Sequence, residues 1–344
     1  MVEQGFGKGS CETSIQSGKK RACEVTLRKN AEGEWERLIK SMHLSRPEDY
    51  FSIYQSGCNH NCLKCHSADF SKVFNGQWYS TSKLALECAD YAKTVTVVEP
   101  RERATMWHAG DLCRHCGRCK TSISGERHPF CPKKLDTSQI VSSVQGFGPA
   151  RNIAAFTGGD ITCVPEYYAE AAMKIKEISD SNLWVLVETN GYGLTDHNLD
   201  VLKEGGVDAF WLDIKAYSEE TYQHLTGCSN QTVLNSVEKI LERDFILEIL
   251  TLYIPGFVET NQHQQIAEFI SSFDNEIPTT LLAFFPAYQL AHTRGPTFFE
   301  MVASMTVMRD AGLKNLRIGN LGVFIKSDLE LMFLLEAFGR RAIG

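Results

Sequence analysis

The sequence predicts an α/β fold arranged as a partial (β/α)6 TIM-like barrel that carries a cysteine-rich insertion. From Arg151 onward, short apolar runs typical of buried strands alternate with segments of helical periodicity. The strands recur at intervals long enough to hold one helix each, which is the arrangement that parallel βα units require. Between residues 94 and 137 this alternation stops, and charged residues, turn residues and cysteines dominate.

The individual elements follow from the same patterns. Strands are predicted over 24–27, 50–54, 153–157, 183–187, 207–213, 245–254, 280–285 and 316–318. Helices are predicted over 32–42, 80–92, 167–178, 195–203, 233–241, 262–270, 298–308 and 328–338. We expect five regions: an N-terminal extension (1–49), a first βα unit (50–93), the cysteine-rich insertion (94–137), the rest of the barrel (138–325) and a C-terminal helix (326–344).

Composition limits the kinds of partner and compartment. The chain has 344 residues, 43% apolar and 22% charged, as is usual for a globular protein. A net charge of −7 argues against nucleic acid as the main partner. The sequence contains no apolar run of about 18 residues, so it predicts no membrane span. The first 20 residues lack the apolar core of an export signal. Twelve cysteines without such a signal indicate a reducing cytoplasm.

Three cysteines follow the first barrel strand at short spacing. Cys58, Cys62 and Cys65 form a Cys-x3-Cys-x2-Cys loop. Four thiolates normally hold a 4Fe–4S cluster, so three leave one iron open to the amino and carboxylate groups of S-adenosylmethionine (SAM). The alternative is a zinc knuckle, although zinc sites usually pair two Cys-x2-Cys motifs.

This loop resembles the signature of the radical SAM superfamily. The resemblance implies that the cluster reduces SAM to a 5′-deoxyadenosyl radical, and that the protein works anaerobically because an open cluster is oxygen-labile. One position departs from the pattern: the residue before the last cysteine, usually an aromatic that packs on adenine, is Lys64. We therefore expect His66 or Phe70 to supply part of the adenine contact.

Four further cysteines lie in the insertion: Cys113, Cys116, Cys119 and Cys131. Their two x2 gaps and the distal Cys-Pro resemble half of a ferredoxin module, although the final gap is longer than in that motif. The first interpretation is an accessory iron–sulfur cluster, and the alternative is a structural zinc. Cys11 and Cys23 are interpreted as unpaired thiols rather than ligands.

Polar and glycine-rich motifs end the predicted strands, where ligands collect in parallel βα folds. Together they resemble the pyruvate formate-lyase (glycyl-radical-enzyme) activating enzyme family and its archaeal branch. The resemblance assigns the methionine amine to Gly158, Gly159 and Asp160, with Asp160 shortening the usual glutamate. The resemblance also implies that Glu188 and Asn190, in the motif ETNG, and Lys215, in the motif DIK, contact the ribose or the carboxylate of SAM.

The resemblance implies abstraction of a hydrogen, the Cα hydrogen in the activating family, from a residue of a protein or peptide substrate. Activation of a glycyl radical enzyme is the leading case, with a low-potential electron donor such as ferredoxin or flavodoxin. One alternative is a cobalamin-dependent radical SAM methyltransferase that modifies a protein residue, for example in an archaeal methane-forming enzyme. Against it, the chain lacks the Asp-x-His-x-x-Gly loop usual for cobalamin. The alternative from another class is a non-catalytic iron–sulfur electron carrier.

Overall fold

The computed structural model describes residues 1–7, 9–15, 18–122, 126–178 and 182–344, and a ten-stranded sheet forms its centre. In these residues the strands are β1 Glu12–Ile15, β2 Gly18–Arg21, β3 Leu27–Lys29, β4 Trp35–Leu44, β5 Phe51–Gln55, β6 Gln77–Ser80, β7 Val141–Ser143, β8 Gly146–Gly148, β9 Ile153–Gly158, β10 Trp184–Thr189, β11 Ala209–Asp213, β12 Ile246–Tyr253, β13 Thr279–Ala283 and β14 Leu316–Gly319. The order across the large sheet is β14-β13-β12-β11-β10-β9-β5-β4-β3, and β6 pairs with β4.

Helices fill the connections between the strands. They are α1 Ala22–Thr26, α2 Ala68–Ser71, α3 Thr81–Ala92, α4 Arg118–Thr121, α5 Pro165–Ile178, α6 Asp196–Glu204, α7 Glu219–Thr226, α8 Gln231–Glu242, α9 Thr260–Ser271, α10 Phe298–Asp310, α11 Leu321–Phe324 and α12 Asp328–Phe338. Within the described part of the chain, none of them is both long and apolar enough to cross a membrane.

Seven neighbouring strands, β5 and β9 to β14, are parallel, and six helical crossovers join them in chain order. The two outermost strands of the sheet do not pair with each other among the described residues, so the sheet stays open. This confirms the predicted α/β class and agrees with a partial barrel. Since the carboxyl ends of parallel strands share one edge, the turns after β5, β9, β10 and β11 meet there.

The N-terminal region differs from the prediction. Residues 32–42, predicted as a helix, lie mostly in the long strand β4, which is antiparallel to β5. A register shift between Ile39 and Ser41 interrupts the alternation of inward and outward side chains, and this hides the strand period in the sequence. The strand predicted over 24–27 is also wrong, because α1 covers most of it. Glu24 accepts a 2.6 Å hydrogen bond from the backbone N–H of Arg21 and so fixes the start of the helix.

The first part of the insertion, residues 97–112, crosses the amino edge of the barrel strands. Trp184, at the start of β10, donates its indole N–H to the carbonyl of Glu99 at 2.8 Å. Further along, the backbone N–H of Trp107 donates to Glu248 on β12, also at 2.8 Å. Ala104 packs with the inward-facing residues Ile153, Ala155, Leu186, Ala209 and Trp211 of β9, β10 and β11. The insertion therefore closes the amino end of the barrel interior.

Candidate active site at the carboxyl edge of the sheet

The segment after β5, residues 57–66, is the cysteine loop, and the barrel holds it by its backbone. The backbone N–H groups of Asn59, Asn61 and Leu63 donate to the carbonyls of Asp160 (2.7 Å), Thr226 (3.1 Å) and Leu225 (2.8 Å). Asp160 follows β9, whereas Leu225 and Thr226 end α7. Because its donors are satisfied by neighbouring elements, the shape of the loop is fixed by the barrel.

The loop carries the three predicted ligands. Cys62 is buried, and Cys58 and Cys65 are partly exposed. Burial raises the pKa of the Cys58 thiol and raises that of Cys62 to about 12, while the ammonium groups of Lys215 and Lys72 lower the pKa of Cys62. Thiols that stay protonated in this way lose their protons when they bind a metal, so ligation would be coupled to proton release.

The Gly-Gly-Asp turn after β9 touches the cysteine loop. Gly158 has a φ of +87°, and a Cβ there would lie 2.7 Å from the ring of Phe70. A Cβ on Gly159 would lie 2.1 Å from the carbonyl oxygen of Gly57, so only glycine allows the two backbones to approach this closely. The carboxylate of Asp160 accepts hydrogen bonds from Thr162 N (2.7 Å), Thr189 Oγ1 (2.7 Å) and Asn190 N (2.9 Å).

The ETNG motif follows β10 and reaches the same loop. Asn190 Nδ2 donates to Asn59 Oδ1 at 2.7 Å and lies 3.7 Å from Cys58 Sγ. Glu188 accepts from Tyr50 Oη at 2.8 Å and from the hydroxyl of Thr157. Burial raises the pKa of Glu188 to about 8, against the lowering effect of these two hydrogen bonds. Burial therefore favours the protonated form of this carboxyl group.

Two lysines face the cysteines from different elements. Lys215, after β11, pairs with Asp213; burial lowers the pKa of Lys215, but Asp213 and Cys62 outweigh this effect and raise it overall. Lys64 Nζ lies 4.4 Å from the ring centroid of Phe285, in a cation–π contact. Burial lowers the pKa of Lys64, and Lys215 acts in the same direction.

The two residues expected to contact adenine lie in different surroundings. His66 is exposed at the end of the cysteine loop. Phe70, on α2, is buried against Gly158 and makes an edge-to-face contact with Tyr54 at 6.3 Å between ring centroids. Of the two side chains, only that of His66 faces solvent.

Comparison with known proteins gives information on the family of the chain. The family model described as "Radical SAM superfamily" matches residues 108–270, a range that leaves the cysteine loop outside. The chain contains a radical SAM domain. Over 152 residues it is 38% identical to a Methanocaldococcus jannaschii protein whose name makes it a candidate glycyl-radical enzyme activating enzyme. Over 136 residues it is 32% identical to the 4-hydroxyphenylacetate decarboxylase activating enzyme of Clostridium scatologenes.

These matches are partial. The first spans 42% of this chain and 56% of the relative, and the second spans 38% and 42%. The chain therefore matches about half the length of these relatives. A solved domain of the pyruvate-formate lyase-activating enzyme from Bacteroides vulgatus is 18% identical, with a TM-score of 0.42, and the match covers 48% of this chain and 98% of that domain.

Radical SAM proteins use a 4Fe–4S cluster together with SAM, and the cysteine loop fits that pair. Three thiols lie on one loop, with Lys72 and Lys215 close enough to offset the negative charge of a thiolate-bound cluster. Among the described residues, no three His, Cys, Asp or Glu side chains converge on a point where a single metal ion could sit. A four-iron cluster spreads its ligands over several irons, so the side chains that bind it need not converge on one point. The individual contacts to SAM stay predictions.

The four cysteines of the insertion line one cavity, which we call the four-cysteine cavity. Its lining consists of Cys113, Cys116, Cys119 and Cys131 together with His128, Arg114, Arg127 and apolar side chains. Gly117 turns the chain between two of these cysteines with a φ of +67°. The structure thus brings together the four thiols that the sequence pattern grouped, although it leaves the identity of their metal a prediction.

Sequence reasoning missed Arg37, which joins the cysteine loop to the Gly-Gly-Asp turn. Arg37 is fully buried on β4, and its Nη2 donates to the carbonyls of Ser56 (2.8 Å), Gly57 (3.1 Å) and Gly159 (3.1 Å). One cation therefore holds the cysteine loop and the Gly-Gly-Asp turn together. The signal was hidden because residues 32–42 were interpreted as a helix with this arginine on its polar face.

Sequence reasoning also missed a group of thiols beside the cysteine loop. The Cys23 thiol on α1 forms a hydrogen bond with the thiol of Cys163, and this contact lowers the pKa of Cys23 to about 7. Cys11 is close enough to Cys23 and Cys58 for each to raise its pKa, although burial is the larger effect. These cysteines are far apart in the sequence, so only the fold brings them together.

Proposed function

We propose that the protein is a radical SAM enzyme that abstracts a hydrogen, at Cα, from a residue of a protein or peptide substrate. The leading case is the activation of a glycyl radical enzyme. The observation that carries this proposal is the direct contact of the Gly-Gly-Asp and ETNG turns with the cysteine loop at one edge of the sheet. When bound, the cluster and SAM supply a 5′-deoxyadenosyl radical.

The residues of this edge would bind and orient the cofactors. We assign the cluster to Cys58, Cys62 and Cys65, and the methionine amine to the backbone of Gly158 and Gly159. The Asp160 carboxylate is already engaged by three donors of the chain, so we assign it a supporting role in holding the ETNG turn.

Charge supports the remaining assignments. Lys215 and Lys64 present two ammonium groups beside the cysteines, and an ammonium is a point donor suited to a carboxylate. Glu188 and Asn190 end β10 beside the loop, where a carboxyl oxygen can accept from ribose hydroxyls. Lys64 takes the place of the aromatic residue usual in the superfamily, and we assign it to the carboxylate of SAM or of the substrate.

We further propose that the four-cysteine cavity holds an accessory iron–sulfur cluster, with a structural zinc as the alternative. The support is that all four thiols line the same cavity, as the ligands of a cubane must. Burial raises the pKa of Cys113 to about 11, so this site too would take up metal with release of protons. Iron and zinc analysis of the anaerobically purified protein, before and after reconstitution, distinguishes the two metals.

Anaerobic turnover tests the main proposal. Reconstituted protein reduced with dithionite should convert SAM to 5′-deoxyadenosine, and the Cys65→Ala variant should not. If a glycyl radical enzyme labelled with deuterium at glycine Cα is supplied as the substrate, deuterium should appear in the 5′-deoxyadenosine. Turnover without deuterium transfer would contradict abstraction from glycine. No turnover by wild type would favour the electron carrier, and cobalt absorbance with methyl incorporation would favour the methyltransferase.

A further inference from the structure

The surface around the four-cysteine cavity is basic on an acidic protein. Between Cys113 and Lys134 the chain has six Lys or Arg residues and one acidic residue, whereas the whole chain carries a net charge of −7. Four of the six basic side chains are exposed: Arg118, Lys120, Lys133 and Lys134.

Two exposed arginines from the C-terminal end of the chain extend this surface. The guanidinium of Arg340 lies 5.3 Å from the ring centroid of Phe130, and Arg341 follows it. Arg114 Nη2 donates to the carbonyl of Arg340 at 2.8 Å and joins the two segments. We call the exposed set Arg118, Lys120, Lys133, Lys134, Arg340 and Arg341 the basic face.

The basic face lies at the opposite edge of the sheet from the cysteine loop. His115, between two of the four cysteines, bonds to Asp49 through Nε2 at 2.9 Å, and Asp49 stands just before β5. The cysteine loop follows the other end of β5. A strand of five residues spans roughly 17 Å at ~3.3 Å per residue. Cys116, the one exposed thiol of the four, opens the four-cysteine cavity to this face.

We propose that the basic face is the docking surface of a small acidic protein that carries one low-potential electron, and that the electron enters the chain at the four-cysteine cavity. This inference rests on the proposed function, which needs an external reductant. The carrier would be oxidised by one electron, and an iron–sulfur cluster held by the four cysteines would be reduced by one, with no covalent bond formed or broken; a zinc ion in the cavity could not take up the electron.

Two features favour this occupant. Oppositely charged faces steer protein association and raise its rate, and the basic face carries six exposed cations, of which Arg341 is also paired with Asp111. The opposite edges of the sheet also separate the two partners, because a carrier on the basic face leaves the carboxyl edge free for a polypeptide substrate. A carrier docked at the cysteine loop would compete with that substrate for space.

Charge reversal on the basic face tests the inference. The variant Lys120→Glu/Lys134→Glu alters two exposed lysines that are not themselves ligands. The matched control, Lys19→Glu/Lys20→Glu, makes the same change in charge on β2, which leads into α1 beside the cysteine loop. Each protein is assayed for 5′-deoxyadenosine formation with a reduced, acidic two-cluster bacterial ferredoxin, and separately with dithionite, which needs no docking.

With ferredoxin at low ionic strength, we expect the Lys120→Glu/Lys134→Glu variant to be slower than wild type by roughly tenfold or more. With dithionite, we expect wild type and both variants to have equal rates and equal iron contents. Raising the ionic strength should slow wild type towards the variant, since salt screens exposed charges. The Kd for ferredoxin, measured without SAM, should rise for this variant and not for the control.

Two results would overturn the inference: an unchanged Kd in the Lys120→Glu/Lys134→Glu variant, or a larger loss in the Lys19→Glu/Lys20→Glu variant, which would put the carrier at the cysteine loop. Failure of the proposed function would look different, since wild type would then make no 5′-deoxyadenosine even with dithionite. In that case the ferredoxin Kd still decides whether the basic face binds the carrier.

Discussion

The two cysteine sites lie at opposite edges of the same sheet, and the chain holds them in different ways. At the carboxyl edge, backbone donors of the cysteine loop bond to elements of the barrel, and Arg37 binds both loops of the site. At the amino edge, the described part of the segment with the four cysteines contains one short helix, α4, and packs on a small apolar cluster of Leu112, Leu135 and Ile140. The barrel thus preorganises the first site, and we expect the second to depend more on a bound metal for the order of its cysteines.

The largest expected effect separates the two sites by function. Cys65→Ala should reduce 5′-deoxyadenosine formation to background, because the cluster that binds SAM loses a ligand. Cys116→Ala should leave the iron of the cysteine loop in place and remove the metal of the four-cysteine cavity. Iron analysis with Mössbauer spectra checks both variants. If both changes stripped all iron from the protein, the division into two sites would be wrong.

Metal removal should affect the two edges unequally. We expect chelation under anaerobic conditions to raise amide hydrogen exchange across residues 113–134 much more than across residues 57–66. The reason is that metal binding supplies ordering free energy where few other contacts do. Exchange read by mass spectrometry, with and without chelator, compares the two segments within one sample. Equal increases in exchange would show that the two segments depend on metal to the same extent.

Arg37→Met tests whether the barrel preorganises the cysteine loop. The change leaves three carbonyls without their buried cationic donor, and hydrogen bonds to charged groups contribute about 1.5–3 kcal/mol each. We expect the free energy of unfolding to fall by roughly 3 kcal/mol, as measured by denaturant unfolding of metal-free protein. Lys40→Met is the matched control, since Lys40 is exposed on the same strand, and should change stability by less than about 0.5 kcal/mol. Similar losses in both variants would show that Arg37 has no special role.

A further contrast concerns a buried acid near each edge. Burial raises the pKa of Glu188 from 4.5 to about 8, and that of Glu248 to about 7. The folded protein keeps each proton in a pH range where the unfolded chain has lost it. The free energy of unfolding therefore falls as pH rises from about 4.5 to the raised pKa.

Glu188→Gln replaces one of these titrating carboxyl groups with an amide that does not titrate. We expect its stability to vary less with pH than that of wild type, by up to about 1.4 kcal/mol per pH unit below pH 8. Glu248→Gln should change the slope only up to about pH 7. Denaturant unfolding at a series of pH values measures both variants. Curves parallel to wild type would mean that the carboxyl groups titrate normally in the folded state.

The sequence predicted the barrel well because the relevant signals are local. Runs such as 153–157 and 245–254 are apolar over a strand length, and Thr195, Thr297 and Ser327 cap the helices that follow strands. The cysteine spacing grouped the thiols of the cysteine loop and those of the four-cysteine cavity, and the fold keeps each group together; their roles as ligands stay predictions. The motifs at strand ends were expected to meet because they end neighbouring parallel strands, and they do lie side by side.

What the sequence could not predict depends on packing between distant segments. The bulge in β4 disguised a strand as a helix, and with it the role of Arg37. The partners of the Asp160 carboxylate lie on β10 and in the turn after it, and no spacing rule predicts them. The four-cysteine cavity lies at the amino edge because residues 97–112 cross the barrel there. Glu248, Arg317 and Trp184, on separate strands, hold those residues in place through hydrogen bonds.

The crossing segment 97–112 has a consequence for how a polypeptide would be handled. Trp107 is only 2% exposed and packs between the guanidinium groups of Arg317 and Arg341, at 4.1 and 4.7 Å from its ring. Residues 97–112 block the amino end of the barrel interior, so a polypeptide cannot pass through it from the carboxyl edge to the amino edge. A substrate of the proposed kind has to reach the cysteine loop from the carboxyl edge, or from the side on which the unpaired outermost strands leave the sheet open.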